Sequence, residues 1–297
     1  GSDDIVYREK SETAAMIVRT AGTHIRFGSF EKFYHDGLFD RHKELCDYAI
    51  SQYFPDKDKL NNKYAYLLEN IVTRTASLIA HWQSVGFCHG VMNTDNMSIL
   101  GETLDYGPYG FIDNFSPSHV CNLSDSSGRY SYQNQPYVGM WNCSALGHTF
   151  SHLIDKEEIS RIMSMYEKTY AEKLFTLYKN KLGIKKVVEA DEFLIQELLS
   201  LMEVKKLDFT RTFRSLSNIL NNNHSIQVDE SLKNWSQKFK ERHSLEDSDI
   251  NLRITQMNQI NPKFILRNYL LQNAIDLAEE GSYKEIDNLM KLITNPY

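Results

Sequence analysis

Three polar residues that lie close together in the chain, Asp95, Asn96 and Asp105, are of types that carry out proton transfer and metal binding. A carboxylate can accept a proton from an attacking hydroxyl, and carboxylate and amide oxygens are ligands that hard divalent cations prefer. Asp95 and Asn96 end the stretch His89-Gly-Val-Met-Asn-Thr-Asp-Asn96, and Asp105 precedes an aromatic residue and a glycine. Each residue alone would be ordinary in a turn. The spacing of Asn96 and Asp105 around a short turn indicates a metal-binding site instead.

The same stretch follows the order of residues in protein kinases, with one replacement. Kinases use His-x-Asp, then four residues and Asn, and later an Asp before an aromatic residue and Gly; the first Asp is the proton acceptor. Here Asn96 and Asp105 occupy the two metal positions, whereas the base position is Val91. Because valine cannot accept a proton, the sequence predicts a nucleotide–metal site without the usual base. His89 is expected to brace the loop rather than to react.

The predicted elements around this stretch support the interpretation. A helix is predicted from about Lys63 to Val85, because apolar residues recur at helical spacing and Gly86 follows as a stop. It leads directly into the catalytic loop, residues 89–96. Residues 97–107 are expected to pair as a β-hairpin that carries the metal ligand. A turn-rich segment at 107–140 then occupies the place of a kinase activation segment.

The predicted fold class is mainly α: a protein-kinase-like large (C-terminal) lobe with a few short strands and a β-hairpin at the metal site. A short strand is expected at 14–20, followed by a helix capped by Thr23. The remainder, 150–297, is predicted to be helical, with helices at about 155–182, 191–204, 208–221, 229–241, 250–258, 262–280 and 283–293. We interpret Gly1-Ser2 as an expression remnant and 3–297 as one lobe of a larger protein.

Composition excludes several classes of function. The chain has 297 residues, of which 41% are hydrophobic and 24% charged, as in ordinary soluble domains. A net charge of −6 argues against a nucleic-acid partner, and no apolar run is long enough for a membrane span. Four cysteines without a C-x-x-C pair argue against zinc and a disulfide scaffold. We therefore expect a cytoplasmic protein; the sequence does not indicate its oligomeric state.

The chain closely resembles the selenoprotein O family of kinase-fold protein adenylyltransferases in two stretches, Cys88-His-Gly-Val-Met-Asn-Thr-Asp-Asn-Met-Ser-Ile-Leu100 and Leu104-Asp-Tyr-Gly-Pro-Tyr-Gly-Phe111. Other landmarks of the family occur in the same order, at Tyr7-Arg-Glu9, Val18-Arg-Thr-Ala-x-Thr-His-Ile-Arg-Phe-Gly28, Gly128-Arg-Tyr-Ser-Tyr-x-Asn-Gln-Pro136, Trp141-Asn142 and Asn261-Pro-Lys-Phe-Ile-Leu-Arg-Asn-Tyr269. The resemblance covers most of the chain and is weakest between about 183 and 250.

The resemblance implies transfer of AMP from ATP to hydroxyl side chains of other proteins, with the nucleotide reversed relative to ordinary kinases. It implies that Asp95 is the catalytic base and that Asn96 and Asp105 bind Mg²⁺, with Mn²⁺ as the alternative. Arg19 and Arg26 correspond to the arginines that hold the ATP phosphates, and guanidinium groups suit a pyrophosphate leaving group. Without the resemblance, both arginines would be interpreted as surface ion-pair partners.

Two departures from the family limit what this polypeptide is expected to do. The small lobe, with its phosphate loop, Lys and Glu, is absent from the sequence, and so is the C-terminal redox tail that would partner Cys121. We therefore expect the fragment itself to bind ATP poorly and to be inactive. Two alternatives stay open: a catalytically inert kinase-like scaffold, and a phosphotransferase for small molecules. Val91 argues against the second alternative.

Overall fold

The computed structural model describes residues 4–7, 11–54, 62–221 and 230–297, and every structural statement below concerns these residues. Gly1-Ser2, two residues of the first family landmark and the first residue of the helix predicted at 229–241 lie outside them. The described chain is mainly helical, which confirms the fold class at that level. No helix in these ranges is long and apolar enough to cross a membrane.

Four short strands form two separate antiparallel pairs. The first pair joins β1 (Ile5–Tyr7) to β2 (Ser11–Thr13), and the second joins β3 (Phe87–Cys88) to β4 (Gly110–Phe111). The second pair is important for the site, because it fixes the start of the catalytic loop against the residues that follow Asp105.

Eleven helices account for most of the described residues. In chain order they are α1 (Phe27–His35), α2 (Phe39–Tyr53), α3 (Lys63–Val85), α4 (Gln135–Thr149), α5 (Lys156–Lys181), α6 (Ala190–Lys205), α7 (Phe209–Leu220), α8 (Lys233–His243), α9 (Ile250–Ile260), α10 (Asn268–Glu279) and α11 (Lys284–Thr294).

The central helix is α3, which packs most extensively against α5 and then against α4. Asn62 caps it, since its side-chain oxygen accepts hydrogen bonds from the N–H groups of Tyr64 and Ala65. Gly86 ends it in the left-handed conformation, with φ +70°, which glycine adopts without steric cost. The structure thus confirms the predicted helix and its stop, and it places the next residues in β3 and the catalytic loop.

Two apolar cores meet at the catalytic loop. The first core contains buried residues of all five helices from α1 through α5, together with Met92 from the loop and Met97 just after it. The second core contains buried residues from the end of α5 and from helices α6 through α9, together with Cys88. Full burial of a large apolar side chain contributes about 1.5–3 kcal/mol, so burial on both sides fixes the loop backbone firmly.

Two of the predicted β elements differ in the structure. The strand expected at 14–20 is not formed: no described strand pairs with it, and Met16 and Val18 are 94% and 86% exposed. Without a neighbouring strand, the backbone N–H and C=O groups of an extended segment bond to water and form no inter-strand hydrogen bonds. Between 97 and 107 we find a single antiparallel bridge, Met97 with Thr103, because Ser98 pairs with Arg26 instead.

The helices after α4 match their predicted positions within a few residues, with one clear exception. The helix expected to open at Pro262 begins only at Asn268, since Lys263 and Phe264 donate backbone hydrogen bonds to the carbonyl of Pro296. Near the start of the chain, the helix expected after Thr23 begins at Phe27. Helix α2 was not predicted from the sequence, and α4 begins inside the range expected to be turn-rich.

Candidate functional site

His89 links the catalytic loop to the residue before Asp105. Its Nε2 lies 2.7 Å from the carbonyl oxygen of Leu104, and its Nδ1 lies 3.3 Å from the backbone nitrogen of Val91. A carbonyl only accepts, so Nε2 carries the proton and Nδ1 accepts the N–H of Val91. Burial lowers the pKa of His89, which favours this neutral form. The histidine therefore braces the loop, as expected.

Two buried amides on α4 hold the backbone of the same loop. The Gln135 side chain accepts a hydrogen bond from the N–H of His89 and donates one to the carbonyl of Phe87, both at 2.9 Å. The Asn142 side chain donates to the carbonyl of Met92 at 2.9 Å. Both side chains are fully buried, so these bonds satisfy backbone groups that water does not reach.

Asn96 and Asp105 present oxygen atoms in different environments. The Asn96 amide nitrogen donates to the carbonyl of Val91 at 2.9 Å, which leaves its oxygen without a hydrogen bond among the described residues. Asp105 has φ +60°, in the left-handed region, and its carboxylate lies 2.9 Å from Nη1 of Arg19. A non-glycine residue held in that region is a form of local strain that often marks a functional position.

Asp95 is exposed and lies against the first turn of α1. Gly28 makes this approach possible, because a Cβ there would overlap Oδ1 of Asp95. Arg26, the N-cap residue of α1, donates from Nη1 to the backbone carbonyl of Asp95 at 2.9 Å. The start of α1 thus carries both an arginine and the contact surface for the carboxylate.

A cleft of about 520 Å³ brings several of the predicted residues together. It is lined by Arg19, Thr20, Ala21, His24, Arg26, Glu102, Thr103, Leu104, Asp105 and Tyr106. Both predicted phosphate-binding arginines and one predicted metal ligand therefore face one space. Asp95 and Asn96 do not line the described cleft, but Asp95 adjoins it through its bond with Arg26.

The donor atoms near the cleft fit a divalent cation that shares its coordination with phosphate and water. No group of three or more His, Cys, Asp or Glu side chains that could hold a metal ion gathers in the described ranges. Mg²⁺ needs only one or two carboxylate-type ligands when substrate phosphates supply others. The Asn96 oxygen and the Asp105 carboxylate are hard donors of that kind.

Cys121 attaches the segment after the cleft to the catalytic loop. Its thiol lies 3.5 Å from the carbonyl oxygen of Cys88, and Asn122 donates to the carbonyl of Gly90 at 3.1 Å. A hydrogen bond between the two thiols lowers the pKa of Cys121 and, together with burial, raises that of Cys88. These contacts hold the segment against the catalytic loop.

No role was predicted for Gly28, Gln135 or Asn142 from the sequence. Each lies inside one of the family landmarks, and this is the only sequence signal that points to them. Their roles depend on contacts between residues far apart in the chain, which spacing does not reveal.

Curated relatives that match the whole chain are named "Protein nucleotidyltransferase YdiU". One from Aliivibrio salmonicida (strain LFI1238) is 43% identical over 302 residues, and the chain covers 62% of its length. One from Vibrio vulnificus (strain YJ016) is 41% identical over 307 residues with 63% covered, and one from Herminiimonas arsenicoxydans is 42% identical over 308 residues with 61% covered. The chain thus spans about three fifths of the length of these relatives.

The family that these nucleotidyltransferases represent matches the chain over residues 1–294 and is described as "Protein adenylyltransferase SelO". The chain belongs to this family. The resemblance identified from the catalytic loop and its neighbouring landmarks is thereby confirmed.

Proposed function

We propose that the full-length protein is a metal-dependent adenylyltransferase that transfers AMP from ATP to Ser, Thr or Tyr hydroxyls of other proteins in the cytoplasm. In this proposal the chain forms the kinase-like large lobe. The observation that carries it is the cleft in which Arg19, Arg26 and Asp105 face one another, with the loop of Asp95 bonded to Arg26. Val91 at the usual base position supports a chemistry other than ordinary phosphate transfer.

Each side chain has a defined task in the proposed reaction. The acceptor hydroxyl forms a bond to the α-phosphorus, and its proton passes to the carboxylate of Asp95. The bond between the α-phosphorus and the bridging oxygen breaks, and pyrophosphate leaves with the electron pair. Arg19 and Arg26 stabilise the charge that develops on this leaving group.

Asn96 and Asp105 would hold the divalent cation, Mg²⁺ or Mn²⁺, which neutralises charge between the phosphates when it is bound. The ion pair between Arg19 and Asp105 fits this assignment. Each group neutralises the other in the free protein, and each has an alternative partner once nucleotide and cation enter the cleft. We expect nucleotide and cation to bind cooperatively for this reason.

Parallel reactions with α-labelled and γ-labelled ATP test the proposal in a protein that spans the full length of the relatives. We expect label from the α-phosphate in acceptor proteins and none from the γ-phosphate. Entry of γ-label alone would support a phosphotransferase and overturn the proposal.

Asp105→Asn distinguishes an enzyme from an inert scaffold. Asparagine tolerates the left-handed backbone at this position but removes the negative charge, so we expect a folded protein whose AMP transfer falls at least a hundredfold. Asp36→Asn, on the exposed end of α1, is the matched control and should keep full activity. Unchanged transfer in Asp105→Asn would exclude the assigned role of this carboxylate.

A further inference from the structure

An exposed surface of aromatic side chains and one arginine is formed by the turn before α4 and by the first turns of α4, beside the catalytic loop. We call it the aromatic–arginine surface, and it consists of Arg129, Tyr130, Tyr137 and Trp141. The Arg129 guanidinium carbon lies 5.1 Å from the ring centre of Trp141 and 5.7 Å from that of Tyr130. Trp141 is 47% exposed and Tyr137 is 63% exposed. Tyr137 and Trp141 lie one helical turn apart on the same face of α4.

This surface is connected directly to the loop that carries Asp95. The Tyr130 hydroxyl donates to the side-chain oxygen of Asn93 at 2.6 Å, and Asn93 precedes Asp95 by two positions. The carboxylate of Asp125 accepts the backbone N–H groups of Arg129 and Tyr130 at 3.0 and 2.8 Å. The turn is therefore fixed from both sides, and the surface begins next to the proposed base.

The charge of Arg129 is not neutralised within the described part of the chain. Its side chain is exposed and forms neither an ion pair nor a hydrogen bond with any described residue. Stacking on aromatic rings uses the faces of a guanidinium and leaves its N–H edges open to a carboxylate. This exposed cation can therefore pair with an acidic group from outside.

We propose that the aromatic–arginine surface docks the acceptor polypeptide, with Arg129 pairing with a carboxylate side chain of the acceptor near the modified hydroxyl. The proposal rests on the function proposed above and specifies its substrate class: flexible segments in which acidic residues flank the hydroxyl. Trp141 and Tyr137 supply apolar contact along the segment, which the partial exposure of both rings permits.

Matched peptides test this inference in the full-length protein. Each unstructured peptide has a single serine flanked by glutamates, alanines or lysines, and the assay measures transfer of α-label from ATP. We expect a KM about fivefold lower for the glutamate peptide than for the lysine peptide, the size typical of one exposed ion pair. Arg129→Glu should reverse this preference, whereas Trp141→Ala should raise KM for all three peptides alike.

Arg211→Glu is the control for net charge, because Arg211 is an exposed arginine on α7 without an ion pair among the described residues. It should leave the preference unchanged, and nucleotide affinity should be the same in all variants. Equal KM values for the peptides, or an unaltered preference in Arg129→Glu, would overturn docking at this surface. Docking at this surface would also be overturned if total cell protein took up α-label and none of the peptides did. If neither the peptides nor total cell protein took up α-label, the proposed function itself would be overturned.

Discussion

The catalytic loop and the segment that carries the two arginines, residues 14–26, are held in different ways. The loop lies between two apolar cores, and buried side chains on α4 satisfy its backbone groups. The arginine segment is exposed along most of its length. Exposed side chains contact its middle, where Asp105 pairs with Arg19 and Glu102 accepts the N–H of Gly22. Its backbone bonds to the residues after the loop near its end, where Ile25 accepts the N–H of Ile99. The proposed proton and metal groups are thus preorganised, whereas the proposed phosphate groups depend on surface interactions.

The largest effect is expected where the loop is most deeply supported. Gln135→Met fills a similar volume but leaves the N–H of His89 and the carbonyl of Phe87 without partners. Each buried, unsatisfied group costs about 1–3 kcal/mol, so the free energy of unfolding should fall by about 4 kcal/mol in urea denaturation. Gln133→Met changes an exposed glutamine nearby and should have little effect. Similar losses in both variants would contradict the difference between the two regions.

The next effect concerns the support of α1, which joins the two regions. His42 is fully buried beside Phe30 of α1, and burial together with His152 lowers its pKa from 6.5 to about 4. The unfolded chain binds a proton between these pH values and the folded chain does not, so stability is present above pH 6.5 and is lost on acidification. From the difference in pKa, the loss for this histidine is about 3 kcal/mol at pH 4.

Urea denaturation at a series of pH values measures this loss. His42→Gln has no titrating ring at this position, so its stability should fall less steeply between pH 6.5 and 4 than that of the unmodified chain. His243, whose pKa is also lowered to about 4 by burial and by Arg253, should account for a further part of the loss. His35→Gln, on the exposed face of α1, is the control. Parallel curves for His42→Gln and the unmodified chain would rule out this account.

A third prediction separates activity from stability at the contact between the regions. In Gly28→Ala the added methyl displaces the carboxylate of Asp95, and we expect AMP transfer to fall by roughly tenfold or more, about 1.4 kcal/mol in activation free energy. Alanine stabilises a helix by about 1 kcal/mol relative to glycine, and this gain offsets the cost of displacing the carboxylate. The free energy of unfolding should therefore change little. Transfer assays and urea denaturation of the same preparation measure the two quantities.

Gly107→Ala is a matched control for this prediction. Gly107 also lies beside the cleft, but a Cβ there meets nothing within 4 Å. If it impaired transfer as much as Gly28→Ala, crowding of Asp95 would not be the cause.

Local patterns were sufficient to predict several helices but not those whose formation depends on surroundings. The apolar spacing of α3 and Gly86 after it gave both ends correctly, since capping and periodicity are local. Helix α4 was missed because its buried face contains the polar residues Gln135 and Asn142, whereas Tyr137 and Trp141 are exposed, so no apolar stripe marks it. Its glycines and polar residues also have the composition of a turn. The strand at 14–20 was predicted wrongly, because β-branched composition cannot supply the partner that a strand requires.

In the candidate site, too, residues with a local sequence pattern were predicted from that pattern, and those placed by distant contacts were not. The spacing of Asn96 and Asp105 is local, so the sequence alone pointed to these residues, whereas the role of Asp95 as base came from the family resemblance. Arg19 and Arg26 reach the cleft through contacts between distant segments, and only the family resemblance pointed to them. Residue types alone gave no reason to expect that Asp105 takes a left-handed backbone conformation.

The smallest effect on stability is expected at Arg19, where the support is weakest. Its ion pair with Asp105 is exposed by 44% and 41% on the two side chains, and water and salt screen such pairs to about 0–1 kcal/mol. Arg19→Ala should therefore reduce the free energy of unfolding by no more than about 0.5 kcal/mol, and high salt should remove even this difference. Nucleotide affinity of the full-length protein should nevertheless fall, because a phosphate contact is lost. A loss of stability comparable to that of Gln135→Met would mean that the arginine segment is as firmly held as the loop.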